Sequence, residues 1–194
     1  EKFLDYAASY GASQWQVLPI TPPDEHGSPY SSPSAFAAWD ELGQSVEADM
    51  KDESFWLEDW LMFEQLKIKF DGKPWHEWPP EYRNRDPAAL AEIATDSSAQ
   101  ARFMGRWNEV REYAKSKNIS LIGDLPIFVA HDSADVWAHR DLFLLNDKGM
   151  PDVVAGVPPD YFSKKGQKWG TVLYDWDAHR KQSWRWWKER MGRM

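Results

Sequence analysis

Carboxylates and large aromatic rings gather between Leu121 and Trp169. Asp124 interrupts an apolar run, Leu121 to Ala130, with Pro126 two residues on. Burying an unpaired carboxylate costs on the order of several kcal/mol. Asp124 therefore belongs near a strand end, where it either caps and pairs structurally or meets a ligand. Asp132 and Asp135 could be read as a catalytic pair, but Asp-Ser-Ala-Asp before Val136-Trp137 fits an N-cap and first-turn acid better. The density of Pro and Gly from Gly156 to Gly170 predicts a long loop. That loop carries Tyr161, Phe162 and Trp169, rings that either pack down or act on a ligand.

Two strands are expected to position these groups. Leu121–Ala130 reads as a strand buried on both faces, and Gln14–Ile20 as a second, short and stopped by Pro19. Thr21 to Pro33 follows as a turn-rich loop at a strand's C-terminal end. Phe3, Tyr6, Ala7 and Tyr10 fall at helical spacing and Gly11 ends that helix. Phe55, Trp56, Trp60, Phe63, Leu66 and Phe70 form a core-facing stripe, with Asp52 or Ser54 as cap and Gly72 as stop. Asp86-Pro87 opens a short helix through Ile93, and a longer one covers about Ala99 to Lys117. A last helix, Ala178 to Met191, presents Trp184, Trp187 and Met191 on one face. Strand, helical excursion, strand is the βαβ order of a parallel sheet, so the two strands should be parallel neighbours.

The 194 residues suffice for one domain with a core, and the net charge of -8 leaves no basic stripe for nucleic acid. No apolar run approaches a membrane span, and no signal segment opens the chain, so neither a membrane nor a nucleic acid is expected as partner. The absence of cysteine excludes disulfides and fits a reducing cytoplasm, the expected location. His26 has no ligand-spaced companion nearby, so no metal is expected at it. Thirteen tryptophans are unusual. Sugar-handling proteins stack pyranose faces on such rings, though most of the thirteen read as core.

Several ordered motifs carry a resemblance. Gly-Asp-Leu-Pro-Ile-Phe-Val-Ala (123–130) precedes Asp-Ser-Ala-Asp-Val-Trp-Ala (132–138). Val-Ala-Gly-Val-Pro-Pro-Asp-Tyr-Phe-Ser (154–163) precedes Gly-Gln-Lys-Trp-Gly (166–170). Trp15-Gln16-Val17-Leu18-Pro19, Ser28-Pro29-Tyr30 and Ser34-Ala35-Phe36-Ala37 agree. Together they resemble the amylomaltases, the 4-α-glucanotransferases also called disproportionating enzymes. The resemblance implies a partial (β/α)₈ TIM barrel of the α-amylase clan with a helical insertion, whose βα loops build the site. It implies one incomplete barrel unit over 1–194, with barrel elements in 1–38 and 118–194 and a mostly helical insertion in about 39–117. Only Trp39 to Ser54 separates two blocks that the family spaces further apart, which reads as a shortened insertion.

The implied reaction moves α-1,4-glucan segments to an acceptor by retaining double displacement, without cofactor. A carboxylate attacks the anomeric carbon while a second carboxyl protonates the leaving oxygen, the two about 5 Å apart. The resemblance puts Ser28 and Tyr30 at the substrate and makes Asp124 an acid near the bound sugar. It makes Tyr161, Phe162 and Trp169 stacking rings and Gln167 a polar contact, on a loop that keeps water from the glucosyl-enzyme. The family's nucleophile follows an Arg-x-Asp pattern, and none occurs here. The nucleophile, together with the acid/base Glu and a stabilising Asp that the family carries further on, is therefore expected to be missing, and these residues alone to be inactive. Thr171-Val172 also stands where the family usually has Asn-Pro. A clan hydrolase and a non-catalytic glucan-binding remnant are the competing readings.

Overall fold

The computed structural model describes residues 1–193. Helix α1 (Lys2–Ser9) ends where Gly11 turns through φ +76°. Strand β1 (Gln14–Gln16) follows and pairs in parallel with β2 (Ser120–Ile122), Gln14 opposite Ser120 and Gln16 opposite Ile122. The parallel neighbours expected from the sequence are present. Both strands are much shorter than the expected Gln14–Ile20 and Leu121–Ala130, and neither is buried on both faces: Leu18 and Ile122 are exposed. Pro19 and Pro126 cannot donate to a ladder, and no third strand flanks this pair among the described residues. Beyond one further bond, Val17 N–H to the Ile122 carbonyl at 2.9 Å, both chains run on irregularly.

The excursion between the strands is helical. Helix α2 (Leu57–Lys69) lacks the expected Asp52 or Ser54 cap, starting instead from Trp56 behind a single turn at Lys51–Glu53. Short helices α3 (Pro80–Arg83) and α4 (Pro87–Leu90) precede the long α5 (Ser98–Ser116). The core lies on the α2 side: Trp60, Phe63 and Leu66 pack with Trp75, Trp78, Trp137, Leu142 and Trp186. Trp75, Trp78, Trp137 and Trp186 are wholly buried, so much of the tryptophan excess is packing. A smaller cluster joins Leu4 of α1 to Ala114 and Ile119, with Trp15 and Leu121 of the sheet against it.

After β2 the chain reaches α6 (Ala134–Ala138), whose cap is Ser133, its Oγ accepting from Val136 N–H. Asp132, expected as the cap, instead pairs with Lys67 at 2.7 Å and accepts from Trp75 N–H at 3.0 Å. Asp135 does sit in the first turn of α6, but fully buried. Within the expected loop Gly156–Gly170, residues 158–166 are indeed loop, but both ends belong to an antiparallel hairpin, β3 (Val154–Val157) with β4 (Gln167–Val172). Pro158, Pro159 and Gly166 lie at the tip, Gly156 where a close backbone approach requires it, and Gly170 at a positive φ (+76°) within β4. A Cβ on Gly156 would lie 2.3 Å from the Gln167 carbonyl oxygen, and Gly166 turns through φ +69°. The expected last helix is two, α7 (Trp176–Lys181) and α8 (Arg185–Gly192). Ser183 and Trp184 both take left-handed conformations between them (φ +54° and +62°). That break resets the helical phase, burying Trp186 and Arg190 and leaving Met191 exposed.

Candidate functional site

The loop after β1 is organised by Asp24. Its Oδ1 accepts from the backbone N–H groups of His26 (2.9 Å) and Ser28 (2.8 Å), while Gly27 supplies the left-handed turn at φ +79°. Ser28 Oγ then accepts from Tyr30 N–H and caps the single turn Pro29–Ser31. This turn aims the Tyr30 ring at the segment leaving β2. There the Tyr30 hydroxyl donates to Asp124 Oδ2 at 2.6 Å, joining positions 94 residues apart. The carboxylate accepting its proton, together with partial desolvation, raises the Tyr30 phenol above its ordinary pKa.

An open cleft of about 520 Å³ lies beside this contact, lined by Tyr30, Asp124, Phe128, Trp169 and Thr171 among others. Trp169 projects from β4 and leans on Phe128, ring centroids 6.4 Å apart. Phe128 in turn stacks on Tyr174. Tyr30 and Trp169 remain about half exposed, at 45% and 50%. The cleft thus offers two ring surfaces with a paired carboxylate and phenol. A ligand with apolar faces and a rim of hydroxyl groups matches that: rings take the faces, Asp124 accepts from hydroxyls.

Of the expected site residues, Tyr30, Asp124 and Trp169 line this cleft. Gln167 sits one turn of the pleat away, its Oε1 accepting from Trp169 Nε1 at 3.2 Å. Ser28 acts here as the cap beneath Tyr30. Tyr161 and Phe162 are not at the cleft. They stand edge to face at the hairpin tip, 94% and 91% exposed. Phe128 and Thr171 were not anticipated as lining residues. Phe128 looked like any apolar residue of a buried strand, and Thr171 gives no signal in the sequence.

A family profile described as 4-alpha-glucanotransferase matches residues 38–194. The chloroplastic/amyloplastic 4-alpha-glucanotransferase of Solanum tuberosum is 36% identical over 259 aligned residues, covering 99% of this chain and 45% of the relative. The 4-alpha-glucanotransferase of Thermus thermophilus is 34% identical over 249 residues, covering 97% of this chain and 50% of the relative. Both alignments are longer than the 194-residue chain, so the relatives carry residues with no counterpart in it. Among solved structures, an amylomaltase from Streptococcus agalactiae in complex with acarbose superposes with a TM-score of 0.85 at 29% identity, covering 97% of this chain and 51% of that one. The fold is thus α/β of the kind found in that amylomaltase. The chain spans about half the length of the curated relatives it matches. With a profile match over most of its length and relatives above 30% identity along nearly all of it, the chain belongs to the 4-alpha-glucanotransferase family.

Proposed function

We propose that these residues form part of a (β/α)₈ barrel of amylomaltase type, with barrel elements in 1–38 and 118–194 and a helical insertion over about 39–117. The parallel β1–β2 pair joined through that excursion supports this reading. In it, the Tyr30–Asp124–Trp169 cleft binds a glucosyl residue of an α-1,4-glucan. The observation that carries the proposal is the Tyr30–Asp124 hydrogen bond beside the Trp169 ring, because two loops following parallel strands converge there. A sugar face stacks on Trp169 or Tyr30, and Asp124 accepts from its hydroxyls. Tyr161 and Phe162 close over the ligand from the hairpin tip, and Gln167 holds the Trp169 ring. Ser28 supports Tyr30 from below. The solved relative's acarbose, an oligosaccharide analogue, fits the same ligand chemistry.

Catalysis needs more than binding. No Arg-x-Asp occurs in the 194 residues, and a retaining transfer cannot pass its covalent step without a nucleophile. The transferase activity therefore belongs to a polypeptide that also supplies those carboxylates, and the present residues contribute one wall of its site, in the cytoplasm. The test pairs binding with turnover. Calorimetric titration of the 194-residue chain with acarbose should give weak binding that Asp124→Ala abolishes. Maltotriose should yield no glucose, while the full-length Thermus thermophilus relative turns it over. Turnover by this chain comparable to that control would mean that a nucleophile lies among its own carboxylates. Acarbose binding unaffected by Asp124→Ala would remove the cleft from the glucan site.

A further inference from the structure

We propose that Arg190, Tyr174 and Asp135 are positioning residues, buried groups that hold the loops bearing Tyr30 and Asp124 against each other. The segment carrying Asp124 leaves β2 at Ile122, and among the described residues no strand lies beside it to fix its course. Its next carbonyls are held from beneath. Arg190 Nη2 donates to the Pro126 carbonyl at 2.7 Å, and the Tyr174 hydroxyl donates to the Ile127 carbonyl at 2.7 Å. Arg190 Nη1 also reaches the Tyr174 oxygen at 3.5 Å, so the two donors form one unit.

The other loop is held from the same place. Asp135 Oδ2 accepts from Ala35 N–H at 2.7 Å, and Ala134 N–H donates to the Pro33 carbonyl at 2.9 Å. These contacts fix the chain three to five residues beyond Tyr30. Asp135 and Arg190 are 4% and 2% exposed; burial pushes the Asp135 carboxyl up and the Arg190 guanidinium down, and the opposite charge of the other works against each shift. A buried guanidinium and a buried carboxylate are tolerated when each has a counter-charge and hydrogen bonds. Here those hydrogen bonds run to the backbones of the two loops that meet at Tyr30 and Asp124.

Arg190 needs this framework for its own placement. Its guanidinium lies 5.2 Å from the Trp186 ring centre and 5.5 Å from that of Trp187, on a helix whose start is set by the left-handed Trp184. Helix α8 thus reaches back under the site. A hydrogen bond of 2.6 Å between exposed groups on two irregular loops is favoured when their backbones are held to within about 0.5 Å.

The role in binding rests on the reading of the cleft as a glucan site, and the experiment separates the two. The chain is labelled with ¹³Cζ-tyrosine, and the Tyr30 resonance is assigned by its loss in Tyr30→Phe. Its titration midpoint is then followed by NMR. Asp124→Asn sets the reference: losing the carboxylate should lower the Tyr30 midpoint. Tyr174→Phe keeps the ring and its packing while deleting the hydroxyl, and Arg190→Lys keeps the charge while deleting the fork. Both should carry the Tyr30 midpoint at least half of the way to the Asp124→Asn value. Asp135→Asn should move it in the same sense. Tyr113→Phe, remote from the cleft, should leave it unchanged. A merely structural role for these residues would lower the unfolding temperature without moving Tyr30. A folded Tyr174→Phe whose Tyr30 titrates as in the parent would overturn the proposal, and so would an Asp124→Asn chain with an unmoved Tyr30. If Tyr30 responds as expected while acarbose does not bind, the glucan reading falls and the positioning role stands.

Discussion

The Asp86 carboxylate accepts from the backbone N–H groups of Ala88 (2.9 Å) and Ala89 (3.4 Å), and Pro87 occupies the first position of α4, where its missing N–H costs nothing. Asp86→Ala should therefore destabilise the chain by about 1 kcal/mol, measured by chemical denaturation. An effect below a few tenths of a kcal/mol would mean that Leu90 packing alone holds the turn. This cap was legible in the sequence because its acceptor and donors are neighbours. The contact between Tyr30 and Asp124 was legible only in part. Tyr30 lies in the loop after one apolar run and Asp124 interrupts another near its expected strand end, so a common rim was expected, but nothing local encodes a hydrogen bond across 94 residues. Arg190 lies at the far end of that scale. In the sequence it is one of several basic residues in the last helix, and only the phase reset at Ser183 and Trp184 turns it inward.

Helices with a long apolar stripe were readable because periodicity accumulates over many residues. The α5 bounds, Ser98–Ser116, lie within a residue of those expected, and α2 buries three residues of its predicted stripe. The hairpin β3–β4 escaped the same reasoning. Its prolines and glycines looked like loop residues throughout, although Pro158, Pro159 and Gly166 only turn the tip while Gly156 permits close strand approach. The hairpin also bears on the two roles left open for its tip rings. Tyr161 and Phe162 touch each other and little else, so packing is not their use. Replacing both with Ala should leave the unfolding free energy within about 0.5 kcal/mol, as for other exposed side chains. Affinity for acarbose should fall several-fold, by loss of the ring surface that closes over it. Calorimetry checks the affinity and urea denaturation the stability. A double variant that binds as the parent does would leave the tip without a part in ligand capture.

At the scale of the molecule, three titratable side chains, His179 buried and His131 and Glu64 half-buried, oppose one another in their effect on pH stability. Burial holds the His131 and His179 imidazoles below their ordinary pKa. The unfolded chain therefore takes up protons first as pH falls through about 6.5, and stability is lost in that direction. Glu64 on α2 acts with the opposite sign. Burial, and then the nearby charge of Asp40, pushes its carboxyl up to about 7. Between about 4.5 and 7 the folded chain holds a proton there that the unfolded chain releases, so this group costs stability as pH rises. Glu64→Gln removes that cost and keeps the shape. The variant should be more stable than the parent by about 1–2 kcal/mol at pH 8, a figure reduced for partial solvent screening. It should gain nothing at pH 4, where both states of the parent are protonated. With the Glu64 contribution gone, the stability of the variant should fall more steeply than that of the parent between pH 7.5 and 5.5. Urea denaturation at half-unit intervals measures both slopes, and because only Glu64 differs, their difference isolates this one carboxyl. Parallel curves would mean that Glu64 stays ionised in the folded chain and that water reaches it at its place on α2.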